Sequence, residues 1–129
     1  MAQKHQTQTR GLGGVFLRAA DPDGLTAWYA RTFGLDQADY GINLHSRDVD
    51  GREALTVFAF FGRADEYFDT SQATMINFRV NDLGATMSAL RDAGIRVADE
   101  TMDEPNGRFG WCYDPEGNRI ELWEPRTTD

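Results

Sequence analysis

One cysteine in 129 residues, Cys112, leaves no partner for an internal disulfide and excludes a cysteine-rich zinc site. No apolar run approaches the roughly 20 residues that span a bilayer. The first ten residues, MAQKHQTQTR, are polar throughout and carry no secretory signal pattern. Membrane attachment is therefore not expected, and a cytoplasmic location is. Basic residues are few, 13 against 21 acidic, for a net charge of −8. Binding a phosphate backbone requires clustered Lys and Arg, so nucleic acid is not an expected partner. Gly13-Gly14 do not make a phosphate loop, because they precede a strand, whereas such a loop follows a strand and opens a helix. What remains is adequate for one domain. At 40% hydrophobic and 12% aromatic the chain is no disordered polymer, and a chain of this length buries roughly two-thirds of its unfolded surface.

Residues 1–10 read as a polar arm and 11–127 as a single domain. Within it a pattern occurs twice. A short apolar strand at 13–19 is followed by Asp21-Pro22, a helix entry with a cap and a proline in the first turn. Leu25, Trp28, Tyr29 and Phe33 then recur at helical spacing over 22–33, and Gly34 stops the helix. LTVFAFFG at 55–62 reads as a strand. The second half opens with TMINFRV at 74–80, and Asn81 or Asp82 caps a helix from about 83 to 93, stopped by Gly94. Residues 95–98 start another strand. Strands at 107–113 and 118–124 flank the turn Asp114-Pro115-Glu116-Gly117. Arg18 falls on Arg79 and Asp21 on Asp82, both 61 residues apart. This register predicts two modules, about 11–65 and 72–125.

GRFGWCYDPEGNRIELWEP at 107–125, in which a DP-G turn leads into an IEL strand, resembles the C-terminal signature of the vicinal oxygen chelate superfamily of glyoxalases, bleomycin-resistance proteins and extradiol dioxygenases. GGVFLRAADPDGLTAWYARTFGL at 13–35 and MINFRVNDLGATMSALRDAGIRV at 75–97 resemble the openings of its two modules. The resemblance implies an α+β fold in which two tandem βαβββ modules form a curved, incomplete barrel with helices on the convex face. Small molecules, and usually a divalent metal, bind in the concavity of such proteins.

Strand alternation assigns the faces. Ile120 and Leu122, like Ile76, Phe78 and Val80, should face a helix. Phe16, Arg18, Asn77, Arg79, Glu121 and Trp123 should face the cavity. If DPEG is a four-residue loop, Gly110 lies opposite Glu121 and Arg108 opposite Trp123, which adds Arg108 to the cavity. These seven residues are the candidate ligand-binding set. The resemblance places the family's metal-ligand positions at Gly14, Met75, near Phe58 to Phe60, and at Glu121. Only Glu121 can serve as a conventional ligand, so neither a metal nor any other cofactor is expected. The buried Glu121 would pair with Arg18, Arg79 or Arg108, either as an internal ion pair or as part of a ligand-binding cluster. Three arginines against one carboxylate would favour an anionic ligand held by a guanidinium fork. The resulting reading is a metal-independent small-molecule binder, homodimeric like the bleomycin-resistance proteins it resembles. The alternatives are a glyoxalase-like lyase or dioxygenase-like enzyme with a non-standard metal site, for instance Glu121 with His45, and an interaction module with a filled cavity. Tyr67-Phe68, near the module junction, would cap the cavity or anchor a loop.

Overall fold

In the computed structural model of the protein, residues 9–126 are described; most of the polar arm lies outside them. The chain runs β1 (Thr9–Ala19), α1 (Pro22–Phe33), β2 (Asp36–Ala38), β3 (Gly41–Arg47), β4 (Glu53–Gly62), β5 (Thr74–Val80), α2 (Leu83–Asp92), β6 (Met102–Glu104), β7 (Gly107–Tyr113) and β8 (Arg119–Pro125). The eight strands form one mixed sheet in the order β2-β3-β4-β1-β5-β8-β7-β6. Each module is βαβββ, and each returns its last strand parallel to its first: β4 beside β1, and β8 beside β5. The two first strands pair antiparallel and join the halves. The sheet stays open, with short strands at both edges, in the α+β fold that the family resemblance implied.

Local chemistry accounts for the elements. The Asp21 carboxylate accepts from the Gly24 amide at 3.1 Å, and Pro22 opens α1 where its missing N–H costs nothing. Gly34 closes α1 at φ +66, a conformation that favours glycine. Asp82 accepts from the Ala85 amide at 3.0 Å and caps α2 in the same way. Under α2 lies one apolar cluster of Val80, Leu83, Met87, Cys112 and Leu122. The helix can approach because Gly110 has no side chain: a Cβ there would lie 2.5 Å from the Met87 sulfur. On the opposite, concave face a second cluster holds Phe16, Ala59, Phe68, Met75, Phe109, Trp111 and Trp123.

β4, which carries LTVFAFFG, is paired on both sides. Two expectations are corrected. Residues 95–98 do not form a strand; Val97 makes a single bridge to Cys112, and the regular partner of β7 on that side is β6. The turn between β7 and β8 spans five residues, not four. The Asp114 carboxylate accepts from the amides of Glu116 and Asn118, both at 2.9 Å, which draws Asn118 into the turn. The register therefore shifts by one: Trp111 faces Glu121, and Phe109 faces Trp123.

Candidate functional site

That one-residue shift rearranges the concave face. A register slip exchanges the two faces of a strand, so Phe109 and Trp111 turn inward and Arg108 turns away. Arg108 pairs across the sheet with Glu124, its guanidinium 3.9 Å from that carboxylate and nearly half exposed. Of the seven candidate residues, the structure brings Phe16, Asn77, Glu121 and Trp123 around one cavity of about 150 Å³. Gly13, Val57, Ala59, Phe61 and Phe109 complete its walls, and Tyr67 lies beside Glu121, while exposed Tyr40 and Asn106 stand among its lining residues.

Arg18 and Arg79 keep their side of the sheet but do not line the cavity. The Arg18 guanidinium donates to the carbonyls of Gly62, Asp65, Phe68, Asp69 and Gln72, at 2.8 to 3.0 Å. It thereby ties the 63–73 segment onto the end of β1. Arg79, 5% exposed, donates to the carbonyls of Leu12, Leu55 and Arg10. Neither pairs with Glu121. The expectation of an arginine-rich cavity is thus overturned, and with it the structural reason for an anionic ligand. Strand parity found the correct side for these two arginines; their long side chains reach backbone carbonyls left open by the β1 bulges and the 63–73 segment.

Glu121 is 2% exposed and has no ion pair among the described residues. Its partners are neutral. The Tyr67 hydroxyl donates to Oε2, the Trp111 indole donates to the same oxygen at 3.1 Å, and the Asn77 amide donates to Oε1 at 2.8 Å. Burial pushes the Glu121 carboxyl above its ordinary range; the three hydrogen bonds and the charge of Arg119 pull it partly back. Burial, followed by the Glu121 charge, pushes the Tyr67 phenol up, so Tyr67 stays a neutral donor. Arg119 itself lies over the Trp111 ring, 4.6 Å from its centroid.

Tyr67, Trp111, Phe61 and Phe109 were missing from the candidate set. The Asp114/Asn118 spacing could have revealed the five-residue turn and hence Trp111 and Phe109. Tyr67 gave no comparable signal, because it reaches Glu121 from a segment outside any strand, across 54 residues of sequence.

The site does not fit a family metal. The glycines at the start of β1 are crowded. A Cβ on Gly13 would lie 2.2 Å from the Asn77 Oδ1, and one on Gly14 would lie 2.9 Å from the Phe16 ring. Met75 is fully buried in the aromatic cluster. His45 is on the surface, 3.0 Å from Asp36, and does not join Glu121. Among the described residues, no group of three or more His, Cys, Asp or Glu could hold a metal ion. Cys112 is buried below α2 with its thiol pushed up to about 11 by desolvation, and offers no nucleophile.

Solved structures with the same fold include a variant of Streptomyces coelicolor methylmalonyl-CoA epimerase in complex with 2-nitronate-propionyl-CoA. It is 18% identical with a TM-score of 0.72, over 93% of this chain and 100% of that one. The methylmalonyl-CoA epimerase from Mycobacterium tuberculosis is 20% identical with a TM-score of 0.64, over 98% of this chain and 94% of that one. At such identities the likeness is one of fold. No curated protein matches the chain in sequence. A family model does: it spans residues 11–122, which include parts of both modules and every lining residue of the cavity except Trp123, and by that match the chain belongs to the Glyoxalase/Bleomycin resistance protein/Dioxygenase superfamily.

Proposed function

We propose that the protein binds a small organic molecule in the concave cavity without the help of a metal. The observation that carries this reading is the state of Glu121: a buried carboxylate at the floor of an aromatic pocket, held by three neutral donors and, among the described residues, by no second metal-ligating side chain. Aromatic walls with a few placed polar groups are the usual make-up of a ligand pocket. The volume of about 150 Å³ falls below the roughly 300–1,000 Å³ typical of sites for drug-sized ligands. The occupant is therefore small, or is the end of a larger molecule. The 2-nitronate-propionyl-CoA bound by the Streptomyces coelicolor epimerase would enter only in part.

A second copy of the chain is the proposed partner. Trp28 and Phe33 on α1 are 44% and 61% exposed, with ring centroids 5.9 Å apart, and such aromatic surface is commonly covered in an assembly. Native mass spectrometry with metal analysis of the purified protein tests these points together. The expected result is a dimer without stoichiometric metal. Stoichiometric zinc, nickel or iron that is lost on Glu121→Ala would overturn the metal-independent reading and restore the enzyme alternative.

A further inference from the structure

The polar groups of the cavity are unbalanced in one direction. The Tyr67 hydroxyl, the Trp111 indole and the Asn77 amide all donate to Glu121, and the Trp123 indole donates to the Asn106 carbonyl at 2.9 Å. The unpartnered Arg79 Nε and Arg119 Nε belong to residues outside the lining, so every buried side-chain donor on the lining residues has a partner. The acceptors do not. A carboxylate offers about four lone-pair sites, of which Glu121 has three engaged. The Asn77 side chain is 1% exposed, and its Oδ1 has no partner. Its orientation follows from chemistry: the carboxylate can only accept, so Nδ2 must face Glu121 and Oδ1 must turn away, toward Gly13 in the cavity wall. Leaving such a buried acceptor unpaired is unfavourable by about 1–3 kcal/mol.

Charge points the same way. Among the described residues, Glu121 is the sole ionisable carboxylate or base lining the cavity. Arg18 and Arg79 are bound to backbone carbonyls, Arg108 is on the other face, and Arg119 stands behind the Trp111 ring. Around the vacant acceptors lie the rings of Phe16, Phe61, Phe109 and Trp123. An anion would meet a carboxylate and no free buried donor. A neutral apolar molecule would leave the buried Glu121 charge without a counter-ion. A protonated amine supplies an N–H donor to the open acceptor site of Glu121, places its positive charge against the carboxylate and the ring faces, and buries its alkyl part among the aromatics.

We propose that the cavity selects a small protonated alkylamine, free or as the end of a larger molecule, held through N–H donation to Glu121. This deepens the small-molecule reading above and rests on it. The test is a matched series of one shape and three charges: tert-butylammonium, tert-butanol and pivalate. Each is titrated at neutral pH into the isotopically labelled full-length protein, up to about 10 mM, where a millimolar site fills. The indole N–H resonances of Trp111 and Trp123 report the cavity, and that of the exposed Trp28 is the internal control. The expected result is that tert-butylammonium shifts the Trp111 and Trp123 signals, binding about tenfold or more tightly than either analogue. Glu121→Gln, if folded, should weaken that binding by about as much. Should the variant fail to fold, the comparison of three charges on the parent protein decides alone. Pivalate or tert-butanol binding as well as the ammonium would overturn the selectivity and leave the small-molecule reading standing. No shift of the two buried indoles with any probe would overturn both. A response confined to Trp28 would overturn the site.

Discussion

The two modules place different chemistry at matched positions of one frame. In module one Phe16 lies beside Ala59 and Arg18 beside Phe61; in module two Asn77 lies beside Glu121 and Arg79 beside Trp123. Phe16 thus corresponds to Asn77, and Ala59 to Glu121. One half supplies an apolar wall, and the other the polar floor. The helices differ in the same sense. Buried residues of α2 are Leu83, Thr86 and Met87, whereas α1 buries Thr26 alone and packs through Tyr29, which meets the Phe58 and Phe60 rings at 5.2 and 5.3 Å. A repeated backbone can therefore assign cohesion, polarity and exposed surface unequally.

The largest expected effect tests the difference between the helices. Leu83 is fully buried, and Leu83→Ala should cost about 3 kcal/mol. Leu25 on α1 is half-buried, and Leu25→Ala should cost about 1 kcal/mol. Urea unfolding midpoints give both values, and equal losses would mean that the helices anchor their modules equally. Next comes Arg18→Ala, expected to cost about 2 kcal/mol through lost charge-assisted hydrogen bonds. Because Arg18 holds the 63–73 segment, amide exchange should accelerate there before it does in β5. If exchange rises uniformly instead, Arg18 does not position Tyr67.

A smaller effect concerns pH. The folded Glu121 pKa lies above its ordinary value of 4.5 because of burial. Below 4.5 the group is protonated in both states and its contribution to stability is complete. As the pH rises through the folded value, the unfolded chain binds fewer protons than the native one, so stability declines. Tyr67 and Arg119 are the other ionisable groups acting on Glu121, and burial moves the Tyr67 phenol further above that window. The carboxylates of Asp48, Asp69 and Asp114 are lowered from 3.8 and act only at more acidic pH. Unfolding midpoints between pH 4.5 and 8 should therefore fall in the parent and stay flat in Glu121→Gln. Parallel profiles would remove the argument from burial. The smallest change is expected from Trp28→Ser. It should move the unfolding midpoint of the monomer little, since Trp28 is 44% exposed, yet lower the mass seen by light scattering if α1 faces a second copy. An unchanged dimer would place the interface elsewhere.

Much of this frame is local and was legible in sequence. Asp21-Pro22 and Asp82 mark helix starts because a cap needs only its own next residues. Period-two alternation placed Ile120 and Leu122, and Phe78 and Val80, toward the helices, because both strands are regular there. The error on β7 came from one residue of a turn. Counting DPEG without Asn118 inverted the face of Arg108 and concealed Phe109 and Trp111. The 95–98 segment failed for another reason: its alternation was real, but its backbone makes one bridge before the chain moves on to β6.

The sequence by itself determined the caps, the repeat and which faces are apolar, since each depends on neighbours a few residues away. Three glycines, Gly13, Gly14 and Gly110, and the lone Glu121 were visible too, although their purpose was not. Only the tertiary structure decided what surrounds that carboxylate. Tyr67, Asn77 and Trp111 come from three separate parts of the chain, and the arginines expected beside them find backbone carbonyls first. The physical reason is the reach of the groups involved. A cap is fixed by covalent proximity, whereas a long guanidinium arm or a loop phenol takes whichever partner the packed sheet places within about 3 Å.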